Sequence, residues 1–141
     1  MSGELQPGQI DFAAYRMPAE WEPHDATWLA WPHNTGTWPA KGQLAAVEEI
    51  WKRMIEALCV NEKVKILVHD DAMERKARAA TAHIQTGSSN IEFLKIPTND
   101  AWMRDSGPNF ILARNASSPE PVLIQDFIFN SWGKKYGPWD A

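Results

Sequence analysis

Between residues 44 and 58 apolar side chains return every three or four positions, at Leu44, Val47, Trp51, Met54, Ile55 and Leu58, and this periodicity constrains the chain more than any other feature. An α-helix lines such positions along one face. Candidate strands flank the helix. Residues 27–31 are β-prone and stop at Pro32, and residues 64–68 form a short apolar run. A second helix starts at Asp70 or Asp71, with Glu74 in capping-box position to Asp71, and extends to about Ile84, where Gly87-Ser88-Ser89-Asn90 stops it. Residues 91–96, bounded by Pro97, read as a strand, as do 109–113 and 122–129, the last two joined by the turn-rich stretch 115–121. Strand and helix alternate as β-α-β-α-β-β-β, which is an α/β protein. The domain reading is a flexible, polar leader over 1–14 and one unit over 15–141. The last strand has no helix to cover it, so the chain is expected to be the front of something longer, poorly soluble as a monomer.

Of the 141 residues, 44% are hydrophobic and 23% charged, enough apolar material for one globular core. The net charge of -4 argues against nonspecific nucleic-acid binding, which needs basic patches. No apolar run reaches the roughly 18 residues of a membrane span, and the first ten residues lack the basic and apolar regions of a secretory signal. Cys59 is the only cysteine, so an intrachain disulfide and a cysteine-rich zinc site are excluded. A cytoplasmic protein is the expectation.

Eight tryptophans are many for such a chain. Trp51 belongs to the first helix. Trp21, Trp28, Trp31, Trp38, Trp102, Trp132 and Trp139 stand among prolines, glycines and asparagines, in the loops where binding residues concentrate. Any one of them could simply plug the edge of a small core; the seven together point to an aromatic-walled site.

The stretch Asn99-Asp100-Ala101-Trp102-Met103-Arg104-Asp105-Ser106-Gly107-Pro108 carries the most specific chemistry. A guanidinium group is planar, delocalised and permanently charged. Carboxylates accepting paired N–H bonds hold it best, with an aromatic face against its plane. Asp100, Trp102 and Asp105 supply those groups within six residues. A plainer reading stands beside this one: Asp before Ser-Gly often caps a turn, and Arg104 can pair with any acid nearby.

These residues resemble the agmatine deiminases and the Porphyromonas-type peptidyl-arginine deiminases. Arg16-Met17-Pro18-Ala19-Glu20-Trp21-Glu22-Pro23-His24 looks like their opening motif, continued by Thr27-Trp28-Leu29-Ala30-Trp31-Pro32. Residues 99–108 match their D-x-W-x-R-D-x-G-P signature. Phe129-Asn130-Ser131-Trp132-Gly133 and Pro138-Trp139-Asp140 match an F-N-x-W-G and P-W-D stretch. The resemblance implies the N-terminal part of a pentein five-bladed α/β propeller, with ββαβ-type blades. It implies hydrolysis of a guanidino group to a ureido group plus ammonia by a cysteine thiolate, with a histidine as acid and base and no metal or organic cofactor. Agmatine, converted to N-carbamoylputrescine in polyamine synthesis, is the first substrate expectation; a peptidyl arginine is the second. The resemblance makes Asp105 the principal substrate ligand and Trp102 a pocket wall, with Asp100 and Trp132 as further substrate-binding positions. The expected partner is the small guanidino substrate, with a homo-oligomer left open and neither nucleic acid nor membrane involved.

The family's nucleophile and histidine belong to motifs that residues 1–141 do not contain, so no catalytic residue is assigned here and both are expected beyond residue 141. Cys59 sits at the end of the first helix between Leu58 and Val60, with no Gly-rich turn, and reads as a buried structural cysteine. His24, His33, His69 and His83 match no catalytic position and show no metal-ligand spacing. The remaining expectation is a noncatalytic fragment or pseudoenzyme that keeps the cation-binding loop.

Overall fold

The computed structural model describes residues 10–115, 120–127, 129, 130, 133 and 135. The expected helix forms as α1 over Gln43–Cys59, and the second as α2 over Asp71–Thr81. Between and around them run β2 (Ala26–Ala30), β3 (Lys63–Val68) and β4 (Ile91–Lys95). These three strands pair in parallel in the order β2-β3-β4, with Thr27 opposite Val64 and Val64 opposite Ile91. Parallel neighbours need a crossover, and α1 and α2 are the two crossovers.

Both helices bury their apolar sides against one cluster. Ile55 and Cys59 from α1 and Ala77 from α2 meet Leu29, Val64, Ile66 and Val68 of the sheet, together with Trp31 just after β2 and Ile84 just after α2. Met54, expected on the apolar face of α1, lies on its margin and is 37% exposed. Asp70 is the N-cap of α2: its carboxylate accepts the Met73 N–H at 2.8 Å. Glu74 pairs with Arg78 one turn on at 2.8 Å and leaves the capping box unmade. The helix stops at Thr81, short of the expected Ile84. The Ala82 and Ile84 amides bond back to the Ala79 and Thr81 carbonyls, a tightened last turn that still delivers Ile84 to the core.

A second, antiparallel sheet joins β1 (Tyr15–Arg16), β5 (Asn109–Ala113) and β6 (Val122–Gln125) in the order β1-β5-β6. The two-residue β1 is too short to leave a period in the sequence and falls at the junction of the expected leader and domain. The strand expected over 122–129 ends at Gln125. Its partner there is Asn109, and Pro108 before it has no N–H to extend the ladder. Between the sheets lies a four-residue helix, α3 (Met103–Ser106), where the sequence pattern suggests only a turn. Among the described residues no helix is long and apolar enough to cross a membrane.

Candidate functional site

In a parallel sheet, loops leaving the C-terminal ends of the strands gather at one edge, where ligands of such folds bind. Here the loop after β2 and the loop after β4 meet at that edge. Asn34 donates through Nδ2 to the Asn99 carbonyl at 3.0 Å, and its Oδ1 accepts the Gly36 amide at 2.8 Å. The Thr37 hydroxyl donates to the Asp100 carboxylate, whose other oxygen accepts the Ala101 amide at 2.7 Å. Trp38 is 8% exposed and stacks at a tilt on Trp102, ring centroids 6.1 Å apart. Behind it Trp51 packs edge-on at 6.5 Å and donates Nε1–H to the Ala30 carbonyl at 2.8 Å. Contacts from Asn34, Thr37 and Trp38 thus tie the 99–102 loop to the loop after β2.

Trp102 caps α3 and keeps 46% of its surface exposed. Asp105 sits within α3, its amide bonded to the Trp102 carbonyl at 3.2 Å. Its side chain is half-buried and has no hydrogen-bond or ion-pair partner among the described residues. Asp100 is different, since Thr37 and the Ala101 amide already engage both of its oxygens. Arg104 pairs with Glu20 at 3.1 Å, and both side chains stand more than 80% in solvent. Exposed pairs of this kind contribute about 0–1 kcal/mol, so the contact orients the 17–22 loop toward α3 without holding it hard. Trp132 lies outside the described residues, as do Trp139 and the Pro138-Trp139-Asp140 stretch.

Sequence reading misses Asn34 and Thr37 and treats Trp38 as one loop aromatic among seven. The signal for Asn34 is local: Asn two residues before Gly in a loop favours an Asx turn, and its Oδ1 makes that bond. Thr37 and Trp38 meet their partners across 63 and 64 positions of sequence, which no local pattern reports.

Cys59 is wholly buried. Its thiol donates weakly to the Glu56 and Thr86 carbonyls at 3.5 and 3.6 Å, and burial pushes its pKa up from the ordinary value. A reactive thiolate needs the opposite setting. His24 binds Glu62 at 2.5 Å and the Glu22 carbonyl at 2.9 Å, and Glu62 also accepts the Thr27 hydroxyl at 2.7 Å. The Glu62 hydrogen bond is the main cause that raises the His24 pKa. Glu22 is held by a two-pronged bond from Arg16, both contacts 2.7 Å, and by the Ala19 amide; these bonds lower its carboxyl to about 2. This ionic group joins the N-terminal ends of β2 and β3, opposite the edge that carries Trp102.

The family model described as Porphyromonas-type peptidyl-arginine deiminase matches residues 16–141. The chain belongs to this family. A relative named agmatine deiminase, from Pseudomonas aeruginosa (strain LESB58), is 34% identical over 134 residues, covering 89% of this chain and 32% of its own. The deiminase-family chain therefore spans about a third of the length of the curated relatives it matches. Among solved structures, the agmatine deiminase of Enterococcus faecalis superposes with a TM-score of 0.71 at 26% identity, covering 91% of this chain and 33% of that one. A substrate-bound agmatine deiminase of C. jejuni shares the fold, with a TM-score of 0.67 at 23% identity over 89% of this chain and 34% of that one.

Proposed function

We propose that residues 99–108 form the cation-holding wall of an agmatine deiminase site. The whole protein would hydrolyse agmatine to N-carbamoylputrescine and ammonia, in the cytoplasm and without a cofactor. The carrying observation is Asp105: a half-buried carboxylate with no partner among the described residues, in the one-turn helix α3 that follows the braced 99–102 loop and its exposed Trp102. In this reading Asp105 accepts the guanidinium N–H groups, and Trp102 lies against the cation's plane. Asp100 acts mainly through its charge and through its hold on Thr37, and Trp132 is a further wall. The two sheets are then parts of a pentein propeller. Attack on the guanidinium carbon falls to a cysteine and a histidine outside residues 1–141, because Cys59 is sealed in the core.

The fixed negative charge of Asp105 would balance the substrate's permanent positive charge while the nucleophile approaches. A charge-assisted hydrogen bond of this kind is worth about 1.5–3 kcal/mol. Asp105→Asn should therefore weaken agmatine binding roughly 10- to 100-fold by calorimetry. Equal binding by both proteins would refute the assignment. The family name favours a second reading, a peptidyl-arginine substrate, and an arginine-containing peptide in the same titration separates the two. Ammonia release in parallel separates an enzyme from a binding fragment.

A further inference from the structure

The stacked tryptophans divide the work of building this site in two. Asn34 holds the Asn99 carbonyl of the 99–102 loop, and Thr37 holds the Asp100 carboxylate, which itself accepts the Ala101 amide. Neither of the bonds from Asn34 and Thr37 involves Trp102, which is 46% exposed and caps α3 with no side-chain cap bond. The aromatic ring that meets the Trp102 indole is Trp38, 6.1 Å away and inclined at 40°. Trp38 is in turn held from behind by Trp51 at 6.5 Å and 71°, and Trp51 is anchored through its indole N–H to the end of β2. A line of contacts thus runs from the sheet through Trp51 and Trp38 to Trp102.

We infer that Trp38 is a positioning residue for guanidinium substrates: without touching the substrate, it fixes the Trp102 ring in the plane against which the cation lies. The inference rests on the reading of Trp102 and Asp105 given above. An exposed indole with no neighbour samples several rotamers and must be ordered when a ligand binds, which weakens binding. A ring already leaning on a fixed neighbour is pre-organised. The cation–π contact also depends on geometry, since the cation must sit over the ring face within about 6 Å of its centroid. Trp38→Leu keeps an apolar side chain against Trp51 and removes the aromatic ring that Trp102 leans on. Trp38→Phe keeps a smaller aromatic ring.

The full chain, labelled with 5-fluorotryptophan, tests this by ¹⁹F NMR, with the Trp102 line assigned through Trp102→Phe. In Trp38→Leu the Trp102 line should move toward the position of free fluoroindole and become more accessible to a soluble paramagnetic probe. Agmatine affinity should fall roughly three- to tenfold. Trp38→Phe should restore most of both. Trp38→Met, similar in volume to leucine but unbranched and better able to fill an irregular gap, is read the same way if Trp38→Leu loses its cooperative melt. An unmoved Trp102 line overturns the inference, and so does a moved line with unchanged agmatine affinity. Absence of agmatine binding by the unsubstituted chain refutes the site itself and the inference with it. The two failures stay distinct because the ring signal is recorded without ligand.

Discussion

Gly107 links the geometry of α3 to the candidate ligand. Its amide closes the helix onto the Met103 carbonyl at 2.7 Å. A Cβ added at Gly107 would stand 2.5 Å from that same oxygen and 3.4 Å from Met103 Cε. The backbone angle, φ −78°, suits any residue, so contact alone excludes a side chain. Real Cβ atoms essentially never approach closer than 3.0 Å, so the turn would have to open by at least about half an ångström. Overpacking of this kind costs about 1–3 kcal/mol, and the stretched hydrogen bond about 1 kcal/mol more. Gly107→Ala should thus lose roughly 2–4 kcal/mol and lower Tm by roughly 6–14 °C. Asp105 lies between the two residues forced apart. Moving Asp105 weakens its charge-assisted hydrogen bond, worth about 1.5–3 kcal/mol when intact, so agmatine affinity should fall up to roughly tenfold. Thermal unfolding and calorimetry measure the two effects. Gly42→Ala is the comparison: at φ +80° a side chain is strained by about 1–2 kcal/mol, yet nothing stands within 4 Å of it and it lies outside residues 99–108. A Gly107→Ala protein that melts like its parent refutes the contact argument. One that melts lower but binds agmatine equally refutes the link between α3 and Asp105.

Gly87 stands at φ +76°, and a Cβ there would lie 2.1 Å from the Cys59 carbonyl oxygen and 2.9 Å from the Val60 nitrogen, both backbone atoms. Gly87→Ala should cost about 3–5 kcal/mol, seen as a lower urea midpoint at unchanged slope; an unmoved midpoint would contradict the clash with the Cys59 carbonyl. The ionic group around the N-terminal ends of β2 and β3 should shape stability against pH from both sides. The lowered Glu22 carboxyl contributes fully above its ordinary 4.5 and loses that contribution as pH falls toward about 2. The raised His24 contributes fully below its ordinary 6.5 and loses that contribution as pH rises through its folded value. Glu62→Gln removes the main cause of the His24 shift, so the alkaline loss should shrink in melts at pH 5 and 9; an identical difference in both proteins would sink the assignment.

The periodic parts of the fold are legible in the sequence for a physical reason. A helix with one buried face and strands with β-branched runs write their period into the sequence, and α1, β3 and β5 fall within a residue or two of the expected bounds. What is not legible lacks a period. β1 has two residues, and α3 is one turn held by the Met103 carbonyl and by Gly107. The end of β6 depends on Pro108 in another strand's lead-in, which the residues of β6 do not report. Parallel pairing of β2, β3 and β4 likewise follows from crossovers that only three-dimensional packing completes.

The site is legible in part because its chemistry is dense in sequence. Asp100, Trp102 and Asp105 are close neighbours, and a carboxylate, an indole and a second carboxylate at that spacing suit a planar cation. Density does not say which carboxylate is free. Their spacing and chemistry alone do not separate the two; the resemblance ranks Asp105 first, and the fold supplies a physical difference: Thr37, 63 positions upstream, bonds Asp100, while Asp105 has no partner among the described residues. The same loop that removes one carboxylate from competition braces the indole beside the other through Trp38. Affinity at such a site follows from this division. A carboxylate satisfied within the protein stiffens the loop, so that the unsatisfied one can meet a cation with less ordering left to do.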